Sequence, residues 1–280
     1  MNDNYSFQFG KKVYDLSSRT HVMGVLNVTP DSFSDGGKYT SLDDAVNHAL
    51  KMADEGVDFI DVGGESTRPG ADAITAEEEM KRVIPIIELL AAKLQIPISI
   101  DTYRAEVADK ALTSGAVMVN DISGFNSDKD MLKVIAKHKA SAIAMHMKGT
   151  PKNMQDNPVY EDVVKEVVAY LEDAIWRANV ENVTQLILDP GIGFGKNAEH
   201  NLALIKNINE LRRLDCPVMV GVSRKSMIGK LVGGEVGDRL EGTVALNTIA
   251  ILNGVQIIRV HDVKSGIRTA RIVDEYRKVK

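Results

Sequence analysis

The sequence predicts an α/β protein, a single-domain (β/α)8 TIM barrel preceded by a short β-hairpin, and three observations predict it. Eight short apolar runs of β type recur along the 280 residues, separated by segments with helical spacing. The runs are nearly continuously apolar, as expected of parallel strands covered by helices on one side and a packed interior on the other. Nearly every run ends in a polar residue: Asn27, Asp61, Asp101, Asn120 with Asp121, His146, Asp189, Ser223 with Arg224 and Lys225, then Arg259, His261 and Asp262. In a closed barrel these C-terminal ends converge on one mouth, where active sites of this architecture lie. An open doubly wound sheet is the alternative fold. Residues 1–20 are assigned to the hairpin and 21–280 to the barrel.

The elements follow in order. YSFQFGKKVY (5–14) alternates aromatic and polar residues around Gly-Lys and reads as a hairpin plugging one end of the domain. HVMGVLNV (21–28), FIDVGG (59–64), PISID (97–101) and VMVNDI (117–122) supply the first four barrel strands. ASAIAMHM (140–147), QLILD (185–189), PVMVGVS (217–223) and VQIIRVHD (255–262) supply the rest. Between them, LDDAVNHALKMADEG, TAEEEMKRVIPIIELLAAKL and DVVKEVVAYLEDAIWRANV carry amphipathic helical periodicity.

Composition narrows the function classes. A chain that is 44% hydrophobic and 26% charged is ordinary for a soluble domain, and its length suits a barrel of roughly 250 residues. A formal net charge of −5 excludes a broad nucleic-acid footprint, though not a local anion pocket. No apolar run approaches the ~20 residues of a membrane span, and the N-terminus lacks a secretory pattern, so a cytoplasmic location is expected. The single cysteine, Cys216, rules out an internal disulfide and is expected to be a buried apolar filler rather than a catalytic thiol.

The loops after the strands carry the chemistry. LILDPGIGFGK (186–196) is neither nucleotide fingerprint: Gly191, Gly193 and Gly195 are spaced G-x-G-x-G, and Gly195-Lys196 is followed by Asn197 rather than Ser or Thr. Pro190 ends the strand just after Asp189, and the glycines permit conformations closed to other residues and leave room for a flat ligand. Asp189 then either caps the next turn or accepts two adjacent N–H groups, as on a 2-amino-4-oxo pyrimidine edge, with Phe194 beside it. NVTPDSFSDGG (27–37) and GGESTRPGA (63–71) are longer than connections require and read as lids or binding loops. Arg68 beside Thr67 suits phosphate oxygens. With Lys225, Arg259 and His261 it would surround an anion at the loops after strands seven and eight, a common phosphate site in barrels. Arg224 should point away from Lys225 and serve as a structural ion-pair partner. The histidines are scattered and carry no zinc spacing; Mg²⁺ held mainly by substrate phosphates and water needs only one or two protein oxygens, for which Asn27 is the best candidate.

With these segments in hand, the sequence resembles the dihydropteroate synthases of the pterin-binding barrel family. The resemblance rests on GVLNVTPDSFSDGG, DFIDVGGESTRPGA, SIDT, NDISG, MHMKGTPKNMQ, LDPGIGFGK, GVSRKSMIG and RVHDV, in that order from about residue 21 to the C-terminus. Val57, Phe59 and Met227 depart from the pattern by apolar exchange only. The resemblance implies condensation of 6-hydroxymethyl-7,8-dihydropterin diphosphate with 4-aminobenzoate to give 7,8-dihydropteroate and pyrophosphate. It assigns the pterin edge to Asp189, Asn120 and Asp101, with Met145 packing on the ring. Lys225 would contact the pterin and lie near the aminobenzoate, and Arg259 would stack on the ring and reach phosphate. Thr67, Arg68 and His261 would hold the diphosphate with Mg²⁺ through Asn27, while Ser226, Pro69 and Phe194 would shape the aminobenzoate site. It also implies a homodimer and sensitivity to sulfonamides. Two relatives of other chemistry are weighed against it: a pterin-binding methyltransferase needs no diphosphate set, and a Schiff-base aldolase needs a lysine on an interior strand face. A non-catalytic pterin-binding protein is the third alternative.

Overall fold

The structure, a computed structural model, describes residues 5–29, 40–67 and 70–279. Strands β1 (Ser6–Phe9) and β2 (Lys12–Asp15) pair antiparallel as the expected hairpin. The barrel strands are β3 (His21–Asn27), β4 (Phe59–Gly63), β5 (Ile98–Asp101), β6 (Met118–Asp121), β7 (Ser141–Met145), β8 (Leu186–Asp189), β9 (Met219–Val220) and β10 (Ile257–Val260). Their order is β8-β7-β6-β5-β4-β3-β10-β9, with parallel neighbours throughout. Leu188 bridges Val218 in parallel, and its amide donates to the Pro217 carbonyl at 2.9 Å, joining the two ends of that order. This closure decides for the barrel over the open sheet. Strand β9 is shorter than the apolar run suggests, because the chain turns after Gly221 and Arg224 adopts a left-handed φ of 55°.

Helices α1 (Thr40–Asp54), α2 (Ala76–Lys93), α3 (Ala105–Thr113), α4 (Met131–His138) and α5 (Val163–Val180) cover the first half. Helices α6 (Ala198–Lys206), α7 (Ile208–Arg212), α8 (Ser226–Val232), α9 (Leu240–Leu252) and α10 (Val263–Lys278) cover the second. Side chains cap two of them at the start: Thr75 accepts the Glu78 amide of α2, and Asp162 accepts the Val164 and Lys165 amides of α5.

The pleat then sorts the strand residues into layers, since side chains two apart share a face. Met23, Phe59, Met118, Ile143, Ile187, Met219 and Ile257 point inward near the strand starts, packed with Tyr5, Phe7, Phe9 and Leu16. The hairpin is therefore the plug of the N-terminal end; the Phe9 and Phe59 rings meet edge-on with centroids 5.0 Å apart. Two residues further along each strand come Val25, Asp61, Asn120, Met145, Asp189, Gly221 and Arg259, and on β5 Asp101 follows Ser99. This second layer is the floor of the mouth. Residues of the opposite phase, such as Val22, Ile60, Val119 and Ile258, face the helices and build the main core.

Candidate active site

The second layer and the loops above it line a cavity open to solvent, with about 340 Å³ of space counting its open mouth. Eight of the residues expected in a site line it: Thr67, Asp101, Asn120, Met145, Asp189, Phe194, Lys225 and Arg259, joined by Ile122, Ile192 and Gly221. Gly221 occupies an inward position without a side chain, so the cavity extends over the backbone of β9. The remaining assignments fall around it. His261 lies two residues beyond Arg259, its amide donating to Ser223 Oγ at 3.2 Å and its Nδ1 3.2 Å from the same hydroxyl. Ser226 opens α8 and is exposed. Asn27 ends β3. Arg68, Pro69 and positions 30–39 of the first loop lie outside the described residues.

Charge dominates the floor. Arg259 Nε donates to Asp61 Oδ2 at 2.7 Å and its Nη2 to Asp101 Oδ2 at 2.8 Å, so one guanidinium on β10 reaches across to β4 and β5. Asn120 Nδ2 donates to the same Asp61 oxygen at 2.9 Å. Because a carboxylate only accepts, this bond fixes the orientation of the Asn120 amide. Its Oδ1 is then left buried with no hydrogen-bond partner among the described residues. Asp61, fully buried, ties the arginine to the asparagine and had no assigned role in the sequence; the available signal was its place among the polar strand ends. Burial and the neighbouring Asp61 push the Asp101 carboxyl up to about 7 against the pull of Arg259. Burial, then Arg259, lowers the Lys225 ammonium to about 8, against Asp189 and Asp101. Asp189 is also raised by burial, opposed by the Gly191 amide, Lys225 and Arg259. Lys225 Nζ stands 4.1 Å from the centre of the Phe194 ring. Burial, then Arg259 and Arg224, takes His261 down to about 3, which makes it a neutral imidazole at physiological pH.

Asp189 Oδ1 accepts the Gly191 amide at 2.7 Å, as the capping reading expects, and the carboxylate also lines the cavity. The glycines after it serve a different end from the flat-ligand room expected of them. Gly191 has a φ of 68°, and a Cβ there would stand 1.9 Å from the His146 carbonyl; at Gly195 it would stand 2.3 Å from that of Lys148. These two let the loop lie against the backbone after β7. Gly193 alone of the three turns toward Lys225, whose Cδ its Cβ would meet at 3.1 Å.

Four other expectations are refined. Asp121, grouped with Asn120, faces the helices and accepts from the Ser123 amide and hydroxyl, each at 2.7 Å. His146 likewise points away from the cavity, toward Tyr170 and Lys196. Arg224 is the ion-pair partner foreseen, bonded to Asp262 at 2.9 and 2.5 Å, but it diverges from Lys225 through a turn rather than along an extended strand. Cys216 is partly rather than fully buried; its thiol packs on the core, and burial raises it to about 11, leaving it unreactive.

For a divalent ion, no group of three or more His, Cys, Asp or Glu side chains among the described residues forms a cage. Asn27 Oδ1 and Asp101 Oδ2 do lie 3.6 and 3.7 Å from where a Cβ on Gly63 would stand. These are hard oxygen donors beside an open backbone, a set that fits Mg²⁺ bound chiefly through phosphate and water.

Comparison with known proteins bears on what this cavity holds. Residues 23–261 match the family model described as pterin binding enzyme. A dihydropteroate synthase of Clostridium beijerinckii is 45% identical over 95% of this chain and 98% of its own length. The Yersinia pestis dihydropteroate synthase, solved in complex with a sulfonamide drug, superposes with a TM-score of 0.92 at 42% identity, covering 98% of this chain and 100% of that one. The Xanthomonas albilineans dihydropteroate synthase with 4-aminobenzoic acid gives a TM-score of 0.93 at 40% identity, covering 99% and 100%.

Proposed function

Because the chain belongs to the pterin-binding enzyme family, as a dihydropteroate synthase, we propose how its residues divide that reaction. The activity is condensation of 6-hydroxymethyl-7,8-dihydropterin diphosphate with 4-aminobenzoate, yielding 7,8-dihydropteroate and pyrophosphate. The observation that carries the division of labour is the floor of the mouth, where buried acceptors on Asn120 and Asp189 flank Met145 on three consecutive strands. A bicyclic ring with an amino group and adjacent ring N–H supplies the donors such acceptors need.

In this arrangement Asp189 and Asn120 take the ring edge, Met145 packs on its face, and Asp101 completes the contact. Arg259, already held by Asp61 and Asp101, stacks against the ring and extends toward phosphate. The C–O bond to the diphosphate breaks with its electron pair leaving on pyrophosphate, and the carbon gains cationic character. The aminobenzoate nitrogen forms the C–N bond and releases one proton. Thr67, Arg68, Lys225 and His261 offset the departing negative charge; a preorganised donor of this kind contributes on the order of 3 kcal/mol to the barrier. Asn27, with Asp101 nearby, would hold Mg²⁺, which supplies further neutralisation of the phosphate oxygens when bound. Phe194, Pro69 and Ser226 shape the aminobenzoate side. The same subsite makes the enzyme a sulfonamide target, a reading supported by the drug complex of the Yersinia pestis relative.

The proposal extends to assembly and location. Leu231, Val232, Ile249, Leu252, Ile272 and Tyr276 are exposed on α8, α9 and α10. Helix α9 is apolar nearly all round, which a helix exposed to water on one side does not favour. A second copy of the chain covers this face, giving a homodimer; a sedimentation species at the single-chain mass would overturn that. No helix among the described residues is long and apolar enough to cross a membrane, and a cytoplasmic enzyme accords with this. The deciding assay for the activity is pyrophosphate release from the dihydropterin diphosphate. Release that requires 4-aminobenzoate supports the synthase, and no release under any condition would reject it.

A further inference from the structure

Behind the pterin wall lies a lysine that the reaction does not use. Lys196 follows the glycine loop and is buried, with its ammonium facing away from the cavity. Nζ donates to the carbonyls of Gly191 at 2.9 Å and Phe194 at 3.0 Å, and lies 3.3 Å from that of His146. It also lies 2.8 Å from His146 Nδ1. An ammonium has three donors and no acceptor, so the imidazole must accept at Nδ1 and be neutral. Burial, then the nearby Lys196 charge, drives His146 down to about 3, in keeping with that role.

The loop is gripped from its other sides as well. Gln155 Nε2 donates to the Gly193 carbonyl and the Tyr160 hydroxyl to that of Gly195, each at 2.7 Å, while Asn201 Oδ1 accepts the Gly193 amide at 2.8 Å. Lys196 differs from these clasps in gathering two carbonyls of the loop at one nitrogen; burial pulls its ammonium well below the ordinary lysine range, and the nearby Asp189 carboxylate opposes that shift.

Resting on the synthase reading, we propose that Lys196 is a positioning residue for the pterin subsite: by clamping the Gly191 and Phe194 carbonyls against β7 from behind, it sets Asp189 and Phe194 in register. The clamp acts on the two parts of the site that flank the ring. Asp189 is bonded to the Gly191 amide, and the Phe194 ring faces Lys225. The Lys196 side chain bonds to His146, Gly191 and Phe194 and, among the described residues, to none of Thr67, Lys225 and His261.

The proposal separates ring affinity from phosphate affinity. Lys196→Met removes the donors and charge at nearly constant length. In this variant the affinity for 6-hydroxymethylpterin, measured by calorimetry, should fall by about tenfold or more, the scale of one charged hydrogen bond. Pyrophosphate affinity should stay within about twofold, an interaction change too small to count as loss of a contact. Lys196→Gln, which keeps two neutral donors, should fall between; it decides the matter if Lys196→Met does not fold. Equal losses for pterin and pyrophosphate would mean general structural damage and overturn the inference. Pterin affinity equal to wild type would overturn it as well. Wild-type protein that binds no pterin would reject the synthase reading instead, so the two failures are told apart.

Discussion

Replacing Asp61 by asparagine tests whether the floor of the mouth is held by charge. The carboxylate is fully buried and receives Arg259 Nε at 2.7 Å and Asn120 Nδ2 at 2.9 Å on one oxygen. Asp61→Asn keeps the shape and removes the charge. Deleting one partner of a buried ion pair costs about 3–5 kcal/mol. Arg259 keeps Asp101 at 2.8 Å, which places the loss at the low end, about 3 kcal/mol. For a domain of this size each kcal/mol lowers the melting temperature by roughly 2–4 °C, so a drop of about 6–12 °C is expected in scanning calorimetry. Part of the penalty should also appear in turnover, because Arg259 and Asn120 both lose their anchor. If the whole of it is expressed at the transition state, pyrophosphate release slows by about two orders of magnitude. A variant melting within about 1 °C of wild type, with turnover within about twofold, would refute the claim that Asp61 organises the site.

Three other outcomes are expected. Asp189→Asn should weaken binding of 6-hydroxymethylpterin by roughly 1.5–3 kcal/mol, the scale of a charged hydrogen bond, and calorimetry showing unchanged affinity would remove Asp189 from the ring edge. Lys225, lowered to about 8 by burial and Arg259, loses its proton as pH rises through that value, so kcat/KM should decline above about pH 8. Bound diphosphate favours the ammonium, which moves the corresponding limb in kcat to higher pH, and Lys225→Arg should abolish the limb; a limb unchanged in that variant would assign it elsewhere. Chelation of Mg²⁺ should raise KM for the diphosphate substrate, and Asn27→Ala should reproduce most of that rise at fixed Mg²⁺. Identical Mg²⁺ titration curves for Asn27→Ala and wild type would dismiss Asn27 as a ligand.

How much of this was legible in the sequence depends on whether the signal was local. The strand–helix rhythm and the turn-forming glycines are set within a few residues, and each appeared where expected. The phase of the barrel strands was not legible. Strands buried on both faces carry no alternation between polar and apolar residues, so nothing local says which residues point inward. That is why Asn120 and Asp121, and Met145 and His146, were hard to separate, although one of each pair lines the cavity and the other faces the helices. Asp61 was visible as a polar strand end, yet its partners are 59 and 198 residues away. Lys196 was visible only as the end of a glycine motif, since its imidazole partner lies 50 residues earlier.

The second layer also explains why a barrel suits this chemistry. Ionisation at the reacting carbon creates a cation and an anion together, and solvent able to stabilise both would also capture the cation. Here Asp61, Asp101 and Asp189 lie in the strand layer, while Lys225 and His261 come from beyond the ends of β9 and β10. Arg259 belongs to the layer but is bound to two of its acids. In the proposed arrangement the carboxylates stand where positive charge develops in the ring, while the Lys225 ammonium and the neutral His261 imidazole, as a hydrogen-bond donor, stand where negative charge departs. Arg259 cannot leave the layer without breaking its bonds to Asp61 and Asp101, and a group fixed in this way needs little reorganisation when the bond breaks.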